Sequence, residues 1–292
     1  DAILNGDRRA LARAISLVET ATEHDTELSQ DLKNLIADDA SRDTLVVGIT
    51  GTGGAGKSSL TDELVRRFLT DRSDQRVAVL SIDPTRKRTG GALLGDRIRM
   101  NSARHDRCFV RSLATRQAGV ELSQSVAPAI RLCKAAGFDL VIVETSGIGQ
   151  GSSAITDVSD IHVYVMTPEY GAATQLEKID MLDFADLVII NKFDRRGAQD
   201  ALRDVSKQVQ RNRNQFDKAP ASMPVYGTVA SQFNDPGVNA AYRALMQMVD
   251  ERSGRDFTSS IPDPGVRSSP PQQRIIPPGR LRYLGDISDA VR

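Results

Sequence analysis

A short stretch of glycines with one lysine and two serines has the residue types and spacing needed to bind a polyphosphate. Gly51-Thr-Gly-Gly-Ala-Gly-Lys-Ser-Ser59 fits G-x-x-x-x-G-K-[ST] at every defined position. Glycines let the backbone curl so that successive N–H groups point at phosphate oxygens. We predict that Lys57 contacts the β- and γ-phosphates and acts in catalysis, and that Ser58 also binds Mg²⁺. The remaining nucleotide-binding residues of this loop are Gly51, Gly54, Ala55, Gly56 and Ser59.

The flanking sequence gives this loop the setting that a phosphate-binding loop requires. An apolar run, Leu45–Ile49, precedes it and predicts a buried strand. Residues 60–68 follow with apolar positions at helical spacing. The loop therefore connects a strand to a helix, whose N-terminus adds positive potential. The alternative, a glycine-rich turn that matches by chance, leaves this setting unexplained.

A second motif, Asn191-Lys-Phe-Asp194, fits N-K-x-D at the end of another apolar run. The carboxylate of Asp194 can accept hydrogen bonds from the ring N–H and the exocyclic amine of guanine, and adenine offers no such pair. We expect Asn191 and Lys192 to brace the base and the phosphate loop. The segment Thr228-Val-Ala230 predicts a further base contact, from the backbone N–H of Ala230 to guanine O6.

Three acidic residues are candidates for the Mg²⁺ site, because Mg²⁺ prefers oxygen ligands and keeps some waters. Asp83 ends an apolar run, Asp96 lies in a glycine-rich loop, and Glu144 with Thr145 follows another apolar run. Whether these groups bind directly or through water is open, and each acid could instead be a solvated loop residue.

Two polar residues could act on the phosphates themselves. Arg99 could offset phosphate charge or could lie on the surface, with equal weight. Gln150, in Gly147-Ile-Gly-Gln-Gly151, is a candidate for orienting the attacking water, although it is displaced from the usual position after the glycine.

Alternating strand and helix patterns predict the fold that positions these residues. Continuous apolar runs separated by helices indicate an α/β fold, with a mostly parallel sheet covered by helices on both faces. The pattern does not give the strand order. The predicted strands cover 45–49, 76–83, 108–112, 138–144, 161–166, 185–191 and 223–228, and the predicted helices cover 7–19, 28–36, 60–68, 120–136 with a kink at Pro128, 198–212 and 238–249.

We predict three parts of the chain: a helical N-terminal extension over 1–42, a P-loop domain over 43–255, and a proline-rich linker with a terminal helix over 256–292. The linker should lie extended on a surface or between domains. The amphipathic stretch 280–292 is too short to be a stable helix alone, so we expect it to rest on another domain or subunit. The alternative is that this tail folds back on its own domain.

Composition narrows the function classes. The 292 residues carry 38 basic and 38 acidic side chains, and this balance does not favour nucleic-acid binding. We expect no membrane span and no signal peptide, and the missing initiator Met suggests a processed chain or a piece of a longer one. Two cysteines without metal-ligand spacing indicate reduced thiols and a cytoplasmic location.

Together, the phosphate loop, Ser81-Ile-Asp-Pro84, residues 90–100, Glu144–Gln150 and Asn191–Asp194 resemble the G-protein chaperones of adenosylcobalamin-dependent acyl-CoA mutases. The resemblance covers about residues 1–255. It is strongest to the GTPase domain of fused isobutyryl-CoA mutases, and Arg274-Ile-Ile-Pro277 with Arg282-Tyr-Leu284 resembles the lead-in to a mutase core. One departure is Gly151-Ser-Ser-Ala-Ile155, where an acidic residue is expected after the glycine.

The resemblance implies that GTP is hydrolysed to GDP, with Mg²⁺, to gate adenosylcobalamin loading and to protect an acyl-CoA mutase such as isobutyryl-CoA mutase. It implies switch loops at 90–100 and 147–155, and a mobile segment around 169–180 near the partner. Cobalamin would be bound only by the mutase, fused or separate, and no mutase activity is expected from this chain alone. We also expect a homo-oligomer.

Three other readings remain open. A small-molecule kinase would use the same loop, although the N-K-x-D motif favours guanine over adenine. A nickel-insertion GTPase would need a Cys/His cluster, which the sequence lacks. A structural module that binds nucleotide without hydrolysis is also compatible with the sequence.

Overall fold

The computed structural model describes residues 2–24, 27–37, 44–84, 100–115, 124–145, 153–171, 176–177 and 179–271. These residues confirm the predicted α/β fold, with a seven-stranded sheet in the order β3-β2-β4-β1-β5-β6-β7. Neighbouring strands run parallel throughout the described sheet. The strands are β1 (Leu45–Gly51), β2 (Val77–Pro84), β3 (Cys108–Thr115), β4 (Leu140–Thr145), β5 (Ile161–Met166), β6 (Leu187–Asn191) and β7 (Val225–Thr228).

Helices cover both faces of the sheet and form two hydrophobic cores. One core joins α1, α2, α4, α5 and α6 to the sheet, and the other joins α3 and α7 to its opposite face. Strand residues are buried on both faces, which explains their continuous apolar runs. The helices are α1 (Arg8–His24), α2 (Gln30–Ala37), α3 (Lys57–Asp71), α4 (Val126–Ala135), α5 (Met181–Phe184), α6 (Ala198–Asn212) and α7 (Pro236–Ser253), with 3-10 helices at Asn101–Arg104, Ser153–Asp157, Pro168–Tyr170 and Pro220–Ser222.

The elements differ from the sequence prediction mainly at their ends. The described helix α4 begins at Val126, so Pro128 lies in its first turn. A backbone N–H at that position needs no helical partner, so the predicted kink at Pro128 is wrong. The short helix α5 was not predicted, because its four residues carry too little periodic pattern.

The start of the C-terminal segment, residues 256–271, packs on the domain. Phe257 is buried in the core beneath α3 and α7, and its backbone N–H donates to Asp250 Oδ1 at 2.7 Å. Ser260 donates its backbone N–H to Asp71 Oδ1 at 2.8 Å. This part of the tail therefore lies on its own domain. The predicted helix 280–292 is outside the described residues.

Replacing Phe257 with alanine should destabilise the protein by about 3–5 kcal/mol, because it removes a fully buried ring and leaves a cavity. Thermal or urea unfolding measures this loss. Phe216→Ala is the matched control, since that ring is 68% exposed and its removal should change stability by less than about 0.5 kcal/mol. Equal melting of the two variants would contradict the packed position of the tail. Truncation after Arg255 should likewise lower the melting temperature.

No helix within the described parts of the chain is both long enough and apolar enough to cross a membrane.

Candidate functional site

The candidate site lies at the carboxyl edge of the parallel sheet, where open α/β folds bind their ligands. Strand β1 leads into the phosphate loop, β4 ends in Glu144 and Thr145, β6 ends in Asn191, and Ala230 follows β7. In the sheet order, β4 and β5 flank β1 on its two sides. The sheet thus brings to one edge residues that are more than 170 positions apart in the sequence.

The backbone of the phosphate loop requires its glycines. Gly51 has φ 144°, and a Cβ there would lie 1.8 Å from the carbonyl oxygen of Val165. Gly56 has φ 85° and is the N-cap of α3, where a Cβ would lie 2.7 Å from Asn191 Nδ2. Both positions combine a left-handed conformation with a close neighbour, so a side chain would displace the loop from the strands beside it.

Lys57 is buried at the first position of α3. Its Nζ donates to the carbonyl oxygens of Gly51 at 3.1 Å and Thr52 at 3.0 Å. The ammonium group therefore lies against the backbone of the phosphate loop, where two carbonyl oxygens hold it. These two bonds give Lys57 a structural role in the loop, in addition to the phosphate contact predicted from the sequence.

Ser58 and Glu144 meet at the position predicted for a metal. Ser58 Oγ donates to Glu144 Oε1 at 2.6 Å, and the carboxylate is 4% exposed. Thr145 Oγ1 donates to Thr50 Oγ1 at 2.8 Å in the interior, so Thr145 would have to give up that bond to reach the ion through its hydroxyl. A hydroxyl and a carboxylate side by side are the oxygen ligands that Mg²⁺ prefers, so this pair fits the ion.

The N-K-x-D motif is joined directly to the phosphate loop. Asn191 Nδ2 donates to the carbonyl oxygen of Ala55 at 2.8 Å, and Lys192 Nζ donates to that of Gly54 at 2.7 Å. Lys192 has φ 58°, a left-handed conformation that is uncommon for a residue other than glycine. The two motifs therefore form one connected structure.

The loop after β7, which is predicted to contact the base, is bonded to the same asparagine. Asn191 Oδ1 accepts from Thr228 Oγ1 and from the backbone N–H of Ala230, both at 3.1 Å. The N–H that we expected to meet guanine O6 thus donates within the protein in this structure. A base bound at this loop would have to share or replace the Ala230 bond.

Asp194 is exposed, whereas the residue before it is buried. The backbone N–H of Phe193 donates to the carbonyl oxygen of Thr228 at 3.0 Å, and a Cβ on Gly227 would lie 2.4 Å from the Phe193 ring. The chain is therefore fixed directly before Asp194, which directs that carboxylate outward at the sheet edge.

An ion pair not predicted from sequence follows the motif. Arg195 donates to Glu169 Oε1 at 2.5 Å, and both side chains are about half exposed. A hydrogen bond from Thr167, together with Arg195, lowers the pKa of Glu169 to about 2. This ion pair thus joins the segment after β5 to the residue that follows the N-K-x-D motif.

Some of the predicted site residues lie outside the described part of the chain, and one residue that holds the site together was not predicted. Asp96, Arg99, Gln150 and the side chain of Asp83 lie outside the described residues. The missed residue is Asp235, which caps α7 by accepting from the backbone N–H of Val238. Its signal in the sequence is the Asp-Pro pair at the start of a helical pattern.

Comparison with known families gives a match over most of the chain. The family described as methylmalonyl-CoA mutase-associated GTPase MeaB matches residues 11–254. The matched region contains the phosphate loop and the N-K-x-D motif, and it ends before residues 256–271.

Two curated relatives and one solved structure extend this comparison. The fused isobutyryl-CoA mutase of Cupriavidus metallidurans is 57% identical over 293 residues, which cover 100% of this chain and 26% of that protein. The protein of the same name from Geobacillus kaustophilus is 52% identical and is matched over 27% of its length. This chain thus spans about a quarter of these relatives. A crystal structure of an LAO/AO transport system kinase aligns with a TM-score of 0.59 at 24% identity, covering 87% of this chain and 75% of that one, which supports the fold.

Proposed function

The chain belongs to the MeaB family of methylmalonyl-CoA mutase-associated GTPases, and from this premise we propose that it hydrolyses GTP as a switch on an adenosylcobalamin-dependent acyl-CoA mutase. One observation carries the nucleotide assignment. The phosphate loop and the N-K-x-D motif are hydrogen-bonded to each other through Asn191 and Lys192. Phosphate binding and guanine recognition would therefore be properties of one rigid site.

In the proposed complex, the phosphates occupy the curl of residues 51–58, and Lys57 shifts from the carbonyls of Gly51 and Thr52 towards phosphate oxygens. Its position supports this, because Nζ already lies inside the loop. Asp194 pairs with the two guanine donors. The base preference should then be large, on the order of 10⁴ for GTP over ATP, because a mismatched base leaves polar groups unpaired.

Mg²⁺ would be held by Ser58 directly and by Glu144, directly or through water, and when bound it would neutralise charge on the β- and γ-phosphates. Thr145, Asp83, Asp96 and Arg99 remain proposals for the same region. Gln150 remains the candidate for orienting the water that attacks the γ-phosphate. Lys57 would stabilise charge on the transferred phosphoryl group.

The proposed partner follows from the relatives that carry this sequence within a fused isobutyryl-CoA mutase. We propose that the domain gates the loading of adenosylcobalamin onto such a mutase, which itself binds the cobalamin. A cytoplasmic location, a homo-oligomer and the division at residues 42 and 255 remain proposals. Because residues 256–271 pack on the domain, the useful boundary for an expression fragment lies beyond 271.

Replacing Glu144 with glutamine should raise the Mg²⁺ concentration needed for half-maximal GTP binding about tenfold. The amide can still accept from the Ser58 hydroxyl, so the fold should persist while the charge is lost. A fluorescent GTP analogue titrated at several Mg²⁺ concentrations measures the change. Glu251→Gln is the control, because that carboxylate is exposed on α7. An unchanged Mg²⁺ requirement in Glu144→Gln would contradict the metal assignment.

The switch function is tested by cofactor transfer. Adenosylcobalamin is supplied to an apo isobutyryl-CoA mutase in the presence of this protein with GTP, with a non-hydrolysable GTP analogue, with ATP, or without nucleotide. We expect the two guanine nucleotides to give different extents of loading. Loading with ATP should equal loading without nucleotide. Identical loading in all conditions would reject the chaperone role.

A further inference from the structure

The C-terminal segment adds a short strand-like stretch to the outer side of β7. The backbone N–H of Gly227 donates to the carbonyl oxygen of Arg267, and that of Ser269 donates to the carbonyl oxygen of Gly227, both at 3.0 Å. Gly237 makes this approach possible, since a Cβ there would lie 2.0 Å from the Gly227 carbonyl oxygen and 2.6 Å from Ser269 Oγ. The stretch lies beyond residues 11–254, the region matched to the family.

One buried carboxylate oxygen joins this stretch to the loop after β7, residues 229–230. Asp235 is completely buried, and its Oδ2 accepts from Val229 N at 3.2 Å, Val238 N at 2.9 Å and Ser269 Oγ at 2.8 Å. Val229 directly precedes Ala230, whose N–H is the predicted contact for guanine O6. The same oxygen atom therefore binds the loop, the start of α7 and the C-terminal segment.

The start of α7, which Asp235 caps, is joined to α3, the helix that follows the phosphate loop. Arg67 on α3 is buried, and its Nε donates to Asn239 Oδ1 on α7 at 2.6 Å. Burial lowers the pKa of Arg67, while the negative charges of Glu63 and Asp235 oppose that shift. The joined helices α3 and α7 thus hold Asp235, and its Oδ2 connects them to the loop after β7 and to the C-terminal segment.

We propose that Asp235 is a positioning residue for guanine recognition, and that residues 256–271 set through Ser269 how firmly the loop holds the base. This inference rests on the proposed function. The Ser269 hydroxyl bonds to a buried carboxylate, and hydrogen bonds to charged groups are among the stronger ones. Since coupling between two sites is reciprocal, displacing the segment weakens guanine binding, and bound guanine holds the segment in place.

The test compares two serine-to-alanine variants on the same segment. Ser269→Ala removes the bond to Asp235, and Ser260→Ala removes the equivalent bond to Asp71, at the other end of the segment. The ligands are GDP and 2,6-diaminopurine riboside diphosphate, which keeps the 2-amine for Asp194 and differs from GDP at C6 and N1. Calorimetry gives both affinities, and thermal melting gives the stability of each variant.

We expect Ser269→Ala to weaken GDP binding about three- to tenfold and the analogue much less, so that the preference for GDP shrinks. In Ser260→Ala, the ratio of the affinities for GDP and the analogue should stay within about twofold of the ratio in the unmodified protein. Ser269→Cys, which replaces the hydroxyl with a larger and weaker donor, should give an intermediate preference and serves if the alanine variant does not fold.

The outcomes separate the proposed guanine-binding function from the proposed coupling through Asp235. If the unmodified protein does not prefer GDP, the proposed function fails. If the unmodified protein prefers GDP but Ser269→Ala keeps that preference, the proposed coupling from Ser269 through Asp235 to the loop is overturned. Equal weakening of both ligands by Ser269→Ala would also overturn it, because general destabilisation does not depend on the group at C6.

Discussion

Replacing Asp194 with asparagine should lower the affinity for GTP by about 100-fold or more and raise the affinity for xanthosine triphosphate. The carboxylate would accept from the ring N–H and the 2-amine of guanine, and an amide cannot accept from both. Xanthine has a carbonyl in place of the 2-amine, to which the amide can donate. A site built on such pairs rejects a mismatched ligand strongly.

Competition between GTP and xanthosine triphosphate for a fluorescent nucleotide measures this change. Asp200→Asn is a matched control, because that carboxylate is exposed six residues further along and forms an exposed ion pair with Arg203. It should leave both affinities within about twofold. Unchanged GTP binding in Asp194→Asn would show that this carboxylate does not read the base.

Replacing Lys57 with alanine should lower the affinity for GTP by at least about 100-fold, because the phosphates lose their charged partner. The protein without nucleotide should also lose about 1–3 kcal/mol of stability, since the carbonyl oxygens of Gly51 and Thr52 lose their donor. Calorimetry with GTP and unfolding without nucleotide give the two quantities separately.

The control for this variant is Lys207→Ala, which removes an exposed ammonium group from α6. Both its GTP affinity and its stability should match the unmodified protein. GTP binding by Lys57→Ala at unmodified affinity would exclude residues 51–58 as the phosphate site. A loss of stability without any loss of affinity would assign Lys57 a structural role alone.

The features foreseen from sequence were those encoded over short distances. The phosphate loop needs one strand, one turn and one helix in succession, and Leu45–Phe68 contains all three signals. The N-K-x-D motif likewise follows its own strand. Burial of the strands on both faces was visible in their apolar runs, which is why the parallel sheet was predicted correctly.

The features that were missed depend on contacts between distant segments. The insertion of β4 between β1 and β2 leaves no local pattern, so the strand order had to come from the structure. Ser58 and Glu144 were both predicted for the Mg²⁺ site, but their direct hydrogen bond, which spans 86 positions, was not. The bond from Ala230 to Asn191 changes how the base contact must form, and no spacing rule indicates it.

The C-terminal segment shows the same limit. Its prolines and weak periodicity suggested a linker, and the structure places its first part against α3, α7 and β7. The deciding contacts are a single buried ring at Phe257 and single hydroxyl groups on serines. Such isolated anchors do not produce a periodic pattern.

The most direct test of the account is phosphate release, measured with GTP and with ATP, each alone and with an adenosylcobalamin-dependent isobutyryl-CoA mutase. The account predicts release from GTP but not from ATP, no transfer of labelled phosphate to a small-molecule acceptor, and a GTP turnover rate that changes when the mutase is added. Equal release from GTP and ATP, or GTP turnover that the mutase leaves unchanged, would contradict the proposal of a guanine-specific switch on that enzyme.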